Sequence, residues 1–194
     1  VNEPPVITST TLAQDNSSID VTFSEAVNAS ADVSLTLALE VSDFALSING
    51  GTATLSSTTP PSISVNGNTY TLGLPLSGSI NGSETVTVVP IINAIYDTGA
   101  ATASTTQTNN TVSLHGDADL DGVNDAMDQC PNTASGIQVD NNGCAFDSDG
   151  DGAGDNGDAF PLDPAESADT DGDGIGDNGD VFPFNPAESA DTDG

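Results

Sequence analysis

Apolar and polar residues alternate in several short stretches of the first 114 residues. Ile19, Val21 and Phe23 alternate with polar neighbours, which is the period-2 pattern of a strand with one buried face. β-Branched residues dominate these stretches and good helix formers are sparse, so the pattern predicts strands rather than helices. Four further stretches show the same alternation: Val33–Leu39, Phe44–Ile48, Tyr70–Leu76 and Val86–Val88.

Asparagine–glycine pairs separate several of the predicted strands. They occur in 49–51, 66–68 and 81–83, and such pairs supply the positive φ that tight hairpin turns require. Several short strands with regular turns over ~110 residues predict an immunoglobulin-like β-sandwich. The predicted fold class is therefore all-β, an immunoglobulin-like sandwich followed by an irregular array of Asp-rich loops.

The first region resembles the tandem immunoglobulin-like repeats of large bacterial adhesins. The resemblance covers roughly residues 4–113 and implies a module that acts as a spacer. Its motifs are Val21–Val27, Ser42–Phe44, Gly50–Leu55, Asn68–Leu72 and Ile95–Gly99.

Charge divides the chain into two regions. Residues 1–116 contain nine of the 30 acidic residues, and the remainder of the chain contains the other twenty-one; there is no Lys or Arg. Without internal cations these carboxylates repel one another unless an external cation is bound. The absence of basic residues also argues against binding nucleic acid or an anionic membrane surface. We predict two domains, a sandwich over 1–114 and Asp-rich repeats over 115–194, divided into 117–146, 147–168, 169–190 and a partial copy, 191–194.

Aspartates in the second region recur in register. Five of them fall at positions 1, 3, 5, 9 and 12 of a 12-residue segment with glycine at position 6, the ligand spacing of a calcium loop whose position 7 contributes a backbone carbonyl. An acidic, solvated linker is the alternative, but random acidic runs do not keep this register three times. The predicted ligands are Asp117, Asp119, Asp121, Val123, Asp125 and Asp128 in the first loop; Asp147, Asp149, Asp151, Ala153, Asp155 and Asp158 in the second; Asp169, Asp171, Asp173, Ile175, Asp177 and Asp180 in the third; and Asp191 and Asp193 in the partial copy.

The ligand chemistry favours several Ca²⁺ ions. Oxygen-only ligands exclude Zn²⁺ and Cu²⁺ as preferred ions, and six or more oxygens suit Ca²⁺ better than Mg²⁺. Position 12 is Asp, which is shorter than the usual Glu, so we expect weaker binding with dissociation constants of ~10⁻⁴ M. Five carboxylates around one dication leave excess negative charge, which makes a second, shared ion plausible.

Prolines follow two of these loops. Phe160-Pro161-Leu162 and Phe182-Pro183-Phe184 forbid the exiting helix of a helix–loop–helix site. We expect these Phe-Pro units to fold back as small apolar plugs between loops.

Cys130 and Cys144 are the two cysteines of the chain. Their spacing suits one local disulfide in an oxidising compartment, which on the chain-entropy argument stabilises the loop by roughly 3 kcal/mol. Free thiols or a metal-binding pair are the alternatives.

Residues 117–194 resemble bacterial thrombospondin type 3 repeats. The first copy carries Asp128–Thr133 and Val139–Cys144, and the later copies end in Pro164–Ala168 and Pro186–Ala190. The resemblance implies about two Ca²⁺ per repeat, with ligands shared across repeats. Asn124 and Ala126 depart from the later copies, so extra ligands there are not implied.

We predict no enzymatic activity. His115 is the only imidazole, and no Ser has a basic partner that could activate it. The predicted function is that of a secreted or cell-surface structural protein, either a rigid stalk or adhesin segment or the subunit of a head-to-tail filament. A carbohydrate-binding accessory module of a secreted enzyme is the third alternative, which the absence of Trp disfavours.

The end of the chain bears on this choice. Asp191 and Asp193 begin a loop that stops at Gly194. Either the chain continued beyond this point, or a neighbouring subunit completes the loop, and head-to-tail contacts of that kind generate open fibres. The predicted partners are therefore the protein itself or other surface components.

Overall fold

The computed structural model describes residues 2–188. The chain forms two compact units. The first contains the residues up to Ala118 together with Asn124–Ala126, and the second contains Asp119–Val123 and the residues from Met127 onward. Antiparallel strands build the first unit and Asp-rich loops build the second, as the predicted all-β fold class requires.

Eleven strands and one 3-10 helix form the secondary structure of the described residues. The helix is a single turn, Val41–Asp43. The strands are β1 Ile7–Leu12, β2 Ser18–Phe23, β3 Val27–Asn28, β4 Phe44–Asn49, β5 Thr54–Leu55, β6 Ile63–Asn66, β7 Thr69–Gly73, β8 Leu76–Ser77, β9 Thr85–Pro90, β10 Tyr96–Asp97 and β11 Thr111–Ser113.

The strands of the first unit belong to antiparallel sheets. The largest has the order β1-β2-β7-β6, and a three-stranded sheet has the order β11-β9-β4. Two short pairs, β10-β3 and β5-β8, complete the arrangement. Four of the five predicted strands are present, whereas β1, β6 and β11 were not predicted.

The core of the first unit lies where these sheets face each other. Along β2 the residues Ile19, Val21 and Phe23 are buried, as their alternation predicts. The ring of Phe23 meets Phe44 of the other large sheet with centroids 6.4 Å apart, and meets Tyr70 of β7 edge-on at 5.9 Å. Each such buried apolar side chain contributes roughly 1.5–3 kcal/mol, so this unit has an ordinary hydrophobic core.

The predicted strand over Val33–Leu39 is wrong. The segment has no strand assignment, and Val33, Leu35 and Leu37 are at least half exposed. Asp32 explains the failure, because its Oδ1 accepts hydrogen bonds from the amide and the hydroxyl of Ser34 (2.9 and 2.7 Å). Side-chain turns of this kind compete with sheet pairing, and alternation alone cannot detect that competition.

One of the three predicted turns is a hairpin between paired strands. Residues 67–68 join β6 to β7, with Gly67 at φ 61°. The glycines of 49–51 and 81–83 also adopt positive φ. However, their flanking strands pair elsewhere, since β4 pairs with β9 and β5 with β8.

Glu84 is a fully buried carboxylate in the first unit. Its Oε1 accepts hydrogen bonds from the amides of Thr52 (2.8 Å) and Ala53 (3.0 Å), and its Oε2 accepts one from Asn81 (3.1 Å). Burial raises the pKa of Glu84, but the bonds from Ala53, Thr52 and Asn81 outweigh this effect and hold the pKa below its ordinary value. The side chain thus joins two loops without any counter-cation.

Glu84→Gln is expected to destabilise the first unit by about 2–3 kcal/mol, because charge-assisted hydrogen bonds are replaced by neutral ones. The lowered pKa means that the carboxylate stabilises the fold above its unfolded pKa of about 4.3, and that this stability is lost as the pH falls through the folded value. Urea unfolding followed by tyrosine fluorescence reports this unit alone, since both tyrosines lie in it. Glu3→Gln, at an exposed site, is the matched control; equal stabilities for the two variants would contradict the prediction.

The second unit has no apolar core within the described residues. Every buried apolar side chain belongs to the first unit, whereas the buried side chain of the second is the carboxylate of Asp180. Phe160 and Phe182 are half-buried, but Leu162 and Phe184 are 84% and 80% exposed. Half-burial is therefore limited to the first two residues of each unit, Phe160-Pro161 and Phe182-Pro183. No helix follows a loop up to residue 188.

The predicted disulfide joins Cys130 to Cys144. Its Cα atoms are 5.1 Å apart, and the chain has no free cysteine. Within residues 2–188, the search for a helix long and apolar enough to cross a membrane finds none.

Candidate metal centre

The aspartates at positions 1, 3 and 5 of each loop come together. In each triplet one carboxylate oxygen per residue lies within 4.8 Å of the other two. The three clusters are Asp117, Asp119 and Asp121; Asp147, Asp149 and Asp151; and Asp169, Asp171 and Asp173.

Glycines at positions 4 and 6 make this convergence possible. In the second loop Gly150 and Gly152 have φ values of 82° and 97°, and the third loop repeats them with Gly172 at 81° and Gly174 at 93°. A side chain at such φ is strained. The first loop nevertheless has Leu120 at position 4, with φ 63°.

Gly152→Ala is expected to weaken cation binding by the second loop by roughly 5- to 30-fold, the equivalent of about 1–2 kcal/mol of backbone strain. A methyl group at Gly152 meets nothing within 4 Å, so the effect isolates backbone conformation. Gly157→Ala is the matched control, because Gly157 lacks a positive φ and its methyl group would approach nothing closer than 3.8 Å. Isothermal titration with Ca²⁺ measures both; equal affinities would remove the geometric role of Gly152.

The position 1 carboxylate closes each loop onto its own backbone. Asp147 accepts the amides of Gly150 (2.7 Å) and Gly152 (3.0 Å). In the third loop Asp169 accepts the corresponding amides at 2.7 and 2.9 Å. Position 1 is therefore oriented before any ion binds.

Positions 3 and 12 present oxygens that are buried and lack any hydrogen-bond partner. In the second loop these are Oδ2 of Asp149 and Oδ2 of Asp158, and in the third loop Oδ2 of Asp171 and Oδ2 of Asp180. Leaving buried polar atoms unsatisfied costs roughly 1–3 kcal/mol each and more when they are charged. Repetition of the same orphaned atoms in both loops indicates a site for a cation.

The position 12 carboxylate uses one of its two oxygens to hold the following backbone. Its Oδ1 accepts the amide two residues further on: Phe160 to Asp158, Phe182 to Asp180 and Cys130 to Asp128, each at 2.7 Å. Oδ2 of Asp158 and of Asp180 has no hydrogen-bond partner. The expectation that Asp at this position hinders bidentate binding stays a prediction.

The crowded carboxylates raise the pKa of the aspartate at position 3. Burial raises the pKa of Asp149 above its ordinary value, and the charges of Asp151, Asp158 and Asp147 raise it further. Asp171 is raised in the same way by burial and by its three neighbours in the third loop. A raised pKa for an acid means that its ionised form is unfavourable there, which a bound dication would reverse.

The amide at position 7 donates to the carboxylate at position 5. Val123 to Asp121, Ala153 to Asp151 and Ile175 to Asp173 span 2.8, 2.7 and 2.9 Å. These bonds fix the backbone of position 7. Ligation by its carbonyl stays a prediction.

The position 9 carboxylates accept hydrogen bonds from the residue at position 2 of the same loop. Asp155 accepts the amide and the hydroxyl of Ser148, both at 2.7 Å, and Asp177 does the same for Thr170 at 2.8 and 2.6 Å. In the first loop Asp125 accepts the amide of Ala118. Position 9 therefore closes the loop, and its predicted ligation remains untested.

Asp140 and Gly143 shape the first loop, a role that was not predicted from the sequence. Hydrogen bonds from the amides of Asn142 and Cys144 lower the pKa of Asp140. They form a turn in which a methyl group on Gly143 would overlap Asp128 and lie 3.1 Å from Oδ2 of Asp121. The cystine holds this turn against two predicted ligands. The pattern Asp-x-Asn-Gly was the available signal for it.

The donor set of the second and third loops suits a hard cation. All identified side-chain donors are carboxylate oxygens, which favour Ca²⁺, Mg²⁺ or Mn²⁺ over Zn²⁺ or Cu²⁺. The orphaned oxygens show that the residues present fit such an ion. Asp191 and Asp193 of the partial copy lie outside the described residues.

Known proteins resemble parts of this chain. Two curated relatives named alpha-agarase are 56% identical over 41 residues (Alteromonas agarilytica) and 66% identical over 32 residues (Thalassotalea agarivorans). These matches cover 21% and 16% of this chain, which spans only 3% and 2% of the length of the two relatives.

A solved structure, the N-terminal part of the bacterial S-layer protein SbsC, is 24% identical with a TM-score of 0.40. The match covers 58% of this chain and 24% of that one. This score is too low to assign a shared fold, so the immunoglobulin-like assignment stays a prediction. Residues 115–138 match the family model of the thrombospondin type 3 repeat, which overlaps the segment 117–194 for which that resemblance was predicted.

Proposed function

We propose that the second unit binds several Ca²⁺ ions and serves as a calcium-stabilised segment of an extracellular structural protein. The observation that carries the proposal is the set of buried, unpartnered carboxylate oxygens at positions 3 and 12, repeated in two loops that have no apolar core. The match of residues 115–138 to a calcium-binding repeat supports it.

The chain's own residues prepare the site in three ways. Position 1 and the two left-handed glycines curl the backbone, position 9 ties the loop closed, and positions 3, 5 and 12 aim oxygens inward. Bound Ca²⁺ supplies the positive charge that a chain without Lys or Arg lacks. Ligand binding that occurs only in the folded state adds to folding stability, so metal binding takes the place of a hydrophobic core here.

An extracellular setting agrees with the chemistry of the second unit. Disulfides persist in oxidising compartments, and Cys130–Cys144 is such a bond. Binding with ~10⁻⁴ M affinity is typical of extracellular calcium modules.

A structural role is favoured over an enzymatic one. The only histidine, His115, has its backbone hydrogen-bonded on both sides to Asn16, at 2.9 Å each. That contact secures the backbone just after β11. The alpha-agarase matches support a related candidate, in which the segment is a spacer within a larger secreted carbohydrate-acting protein.

A monomeric stalk is favoured over a filament. The second and third loops gather their carboxylates from their own residues and need no neighbouring subunit. Sedimentation and electron microscopy in millimolar Ca²⁺ are expected to show a monomer at micromolar protein. Calcium-dependent fibres that dissolve in chelator would instead establish a self-assembling filament.

A further inference from the structure

Glu166 lies between the second and third loops and has no place among the predicted ligands. Its Oε2 accepts the backbone amide of Asn178 at 3.0 Å, and the side-chain amide of Asn178 donates to the carbonyl of Ala165 at 2.6 Å. Two hydrogen bonds thus fasten the linker to the last turn of the third loop, which leads into Asp180.

The turn that receives Glu166 is built around small residues. Gly176 is buried, and a methyl group there would overlap the Glu166 carboxylate. A methyl group on Gly179 would lie 3.0 Å from Oε1. The two glycines, which have no side chain, therefore leave the space that the Glu166 carboxylate occupies.

The other end of the linker is attached to the second loop. The amide of Phe160 donates to Oδ1 of Asp158 at 2.7 Å, and the amide of Ala159 donates to the carbonyl of Ser167 at 3.2 Å. The amide of Asp177 donates to Ala168 at 2.9 Å. Contacts consequently run without a break from Asp158, a predicted ligand of the second loop, to the turn that positions the last ligand of the third.

The second loop has no equivalent of this clamp. The residue twelve positions before Asn156 is Cys144, so no carboxylate reaches that turn, and a methyl group on Gly154 would meet Ala145 instead. Between the second and third loops, therefore, the clamp holds only the turn of the third loop.

We propose that Glu166 is a positioning residue that couples cation binding by the second and third loops. An ion bound to Asp158 fixes the start of the linker, because Asp158 accepts the amide of Phe160. Glu166 then holds the turn before Asp180 in the conformation that binds the ion. Because coupling is reciprocal, occupancy of either loop favours the other. The inference rests on the proposed calcium function.

The test uses the full ¹⁵N-labelled chain titrated with Ca²⁺, with the amides of Gly152 and Gly174 reporting the second and third loops. Glu166→Ala is expected to weaken third-loop binding roughly fivefold or more, and to speed hydrogen exchange of the Asn178 amide. Glu166→Gln keeps an acceptor and is expected to retain most of the affinity. Gly176→Ala should reproduce the loss, and Gly157→Ala should not.

A variant that disables the second loop tests the coupling directly. In the wild type, Asp149→Asn is expected to weaken the third loop; in the Glu166→Ala background it is expected to have no further effect there. Persistence of the full Asp149→Asn effect would overturn the coupling. Equal losses in Glu166→Gln and Glu166→Ala would also overturn it, because they would make Glu166 an ion ligand. Failure of the wild type to bind Ca²⁺ would be distinct from both, since it would refute the proposed function itself.

Discussion

Chelation of Ca²⁺ is expected to unfold the second unit while the first unit keeps its sheets. The second unit holds most of the 30 acidic residues and has no buried apolar side chain among those described. Without a bound cation the carboxylates repel one another, and no hydrophobic burial opposes them. The first unit has a hydrophobic core built around a buried aromatic cluster.

Limited proteolysis measures this difference residue by residue. Trypsin has no site in a chain without Lys or Arg, so chymotrypsin is the suitable protease. In chelator we expect rapid cleavage after Phe146 and Phe184, whereas Phe160 and Phe182 precede proline and are not cleaved. We expect protection at Phe23 and Phe44, which are buried in the first unit. Added Ca²⁺ should restore protection of the second unit. Identical cleavage patterns with and without Ca²⁺ would contradict the expectation.

Asp149→Asn is expected to lower the Ca²⁺ affinity of the second loop about tenfold or more, because a charged ligand is lost. The direction of the change in melting temperature shows whether Asp149 binds a cation. With Ca²⁺ present the variant should melt at a lower temperature. If the aspartates bound nothing, the same change would raise the melting temperature, since it removes repulsion from a carboxylate whose pKa is already raised.

Asp163→Asn provides the matched control. It removes the same charge from the same unit, but Asp163 is exposed and caps the linker through the amide of Ala165. Calorimetric titration and thermal melting of both variants in Ca²⁺ are the measurements. Equal effects of the two substitutions would mean that overall charge, rather than ligation, governs the second unit.

The sequence predicted the loops better than it predicted the sheets. The Asp register places its ligands within a dozen residues, so local geometry alone brings Asp147, Asp149 and Asp151 together. Sheet partners are set by distant contacts instead. The unpaired Val33–Leu39 segment and the pairing of β4 with β9 therefore escaped a pattern that has no information on partners.

Side chains that act on the backbone were also missed. The ligand role of Asp155 and Asp177 stays a prediction, but the sequence did not predict their hydrogen bonds to Ser148 and Thr170. An acidic residue at a ligand-compatible position can serve either purpose, and spacing alone does not separate them. Glu166 was overlooked because its partner lies in the next loop. Its recurrence in the motif Pro-Ala-Glu-Ser was the only signal.

The most direct test is a Ca²⁺ titration of the ¹⁵N-labelled full chain, followed at the glycine amides of the second and third loops. We expect the resonances of Gly150, Gly152, Gly172 and Gly174 to move from random-coil positions to dispersed ones, saturating with at least one ion per loop. The resonances of the sheets should stay unchanged. Glycine resonances that remain at random-coil positions in millimolar Ca²⁺ would contradict a second unit that folds around metal.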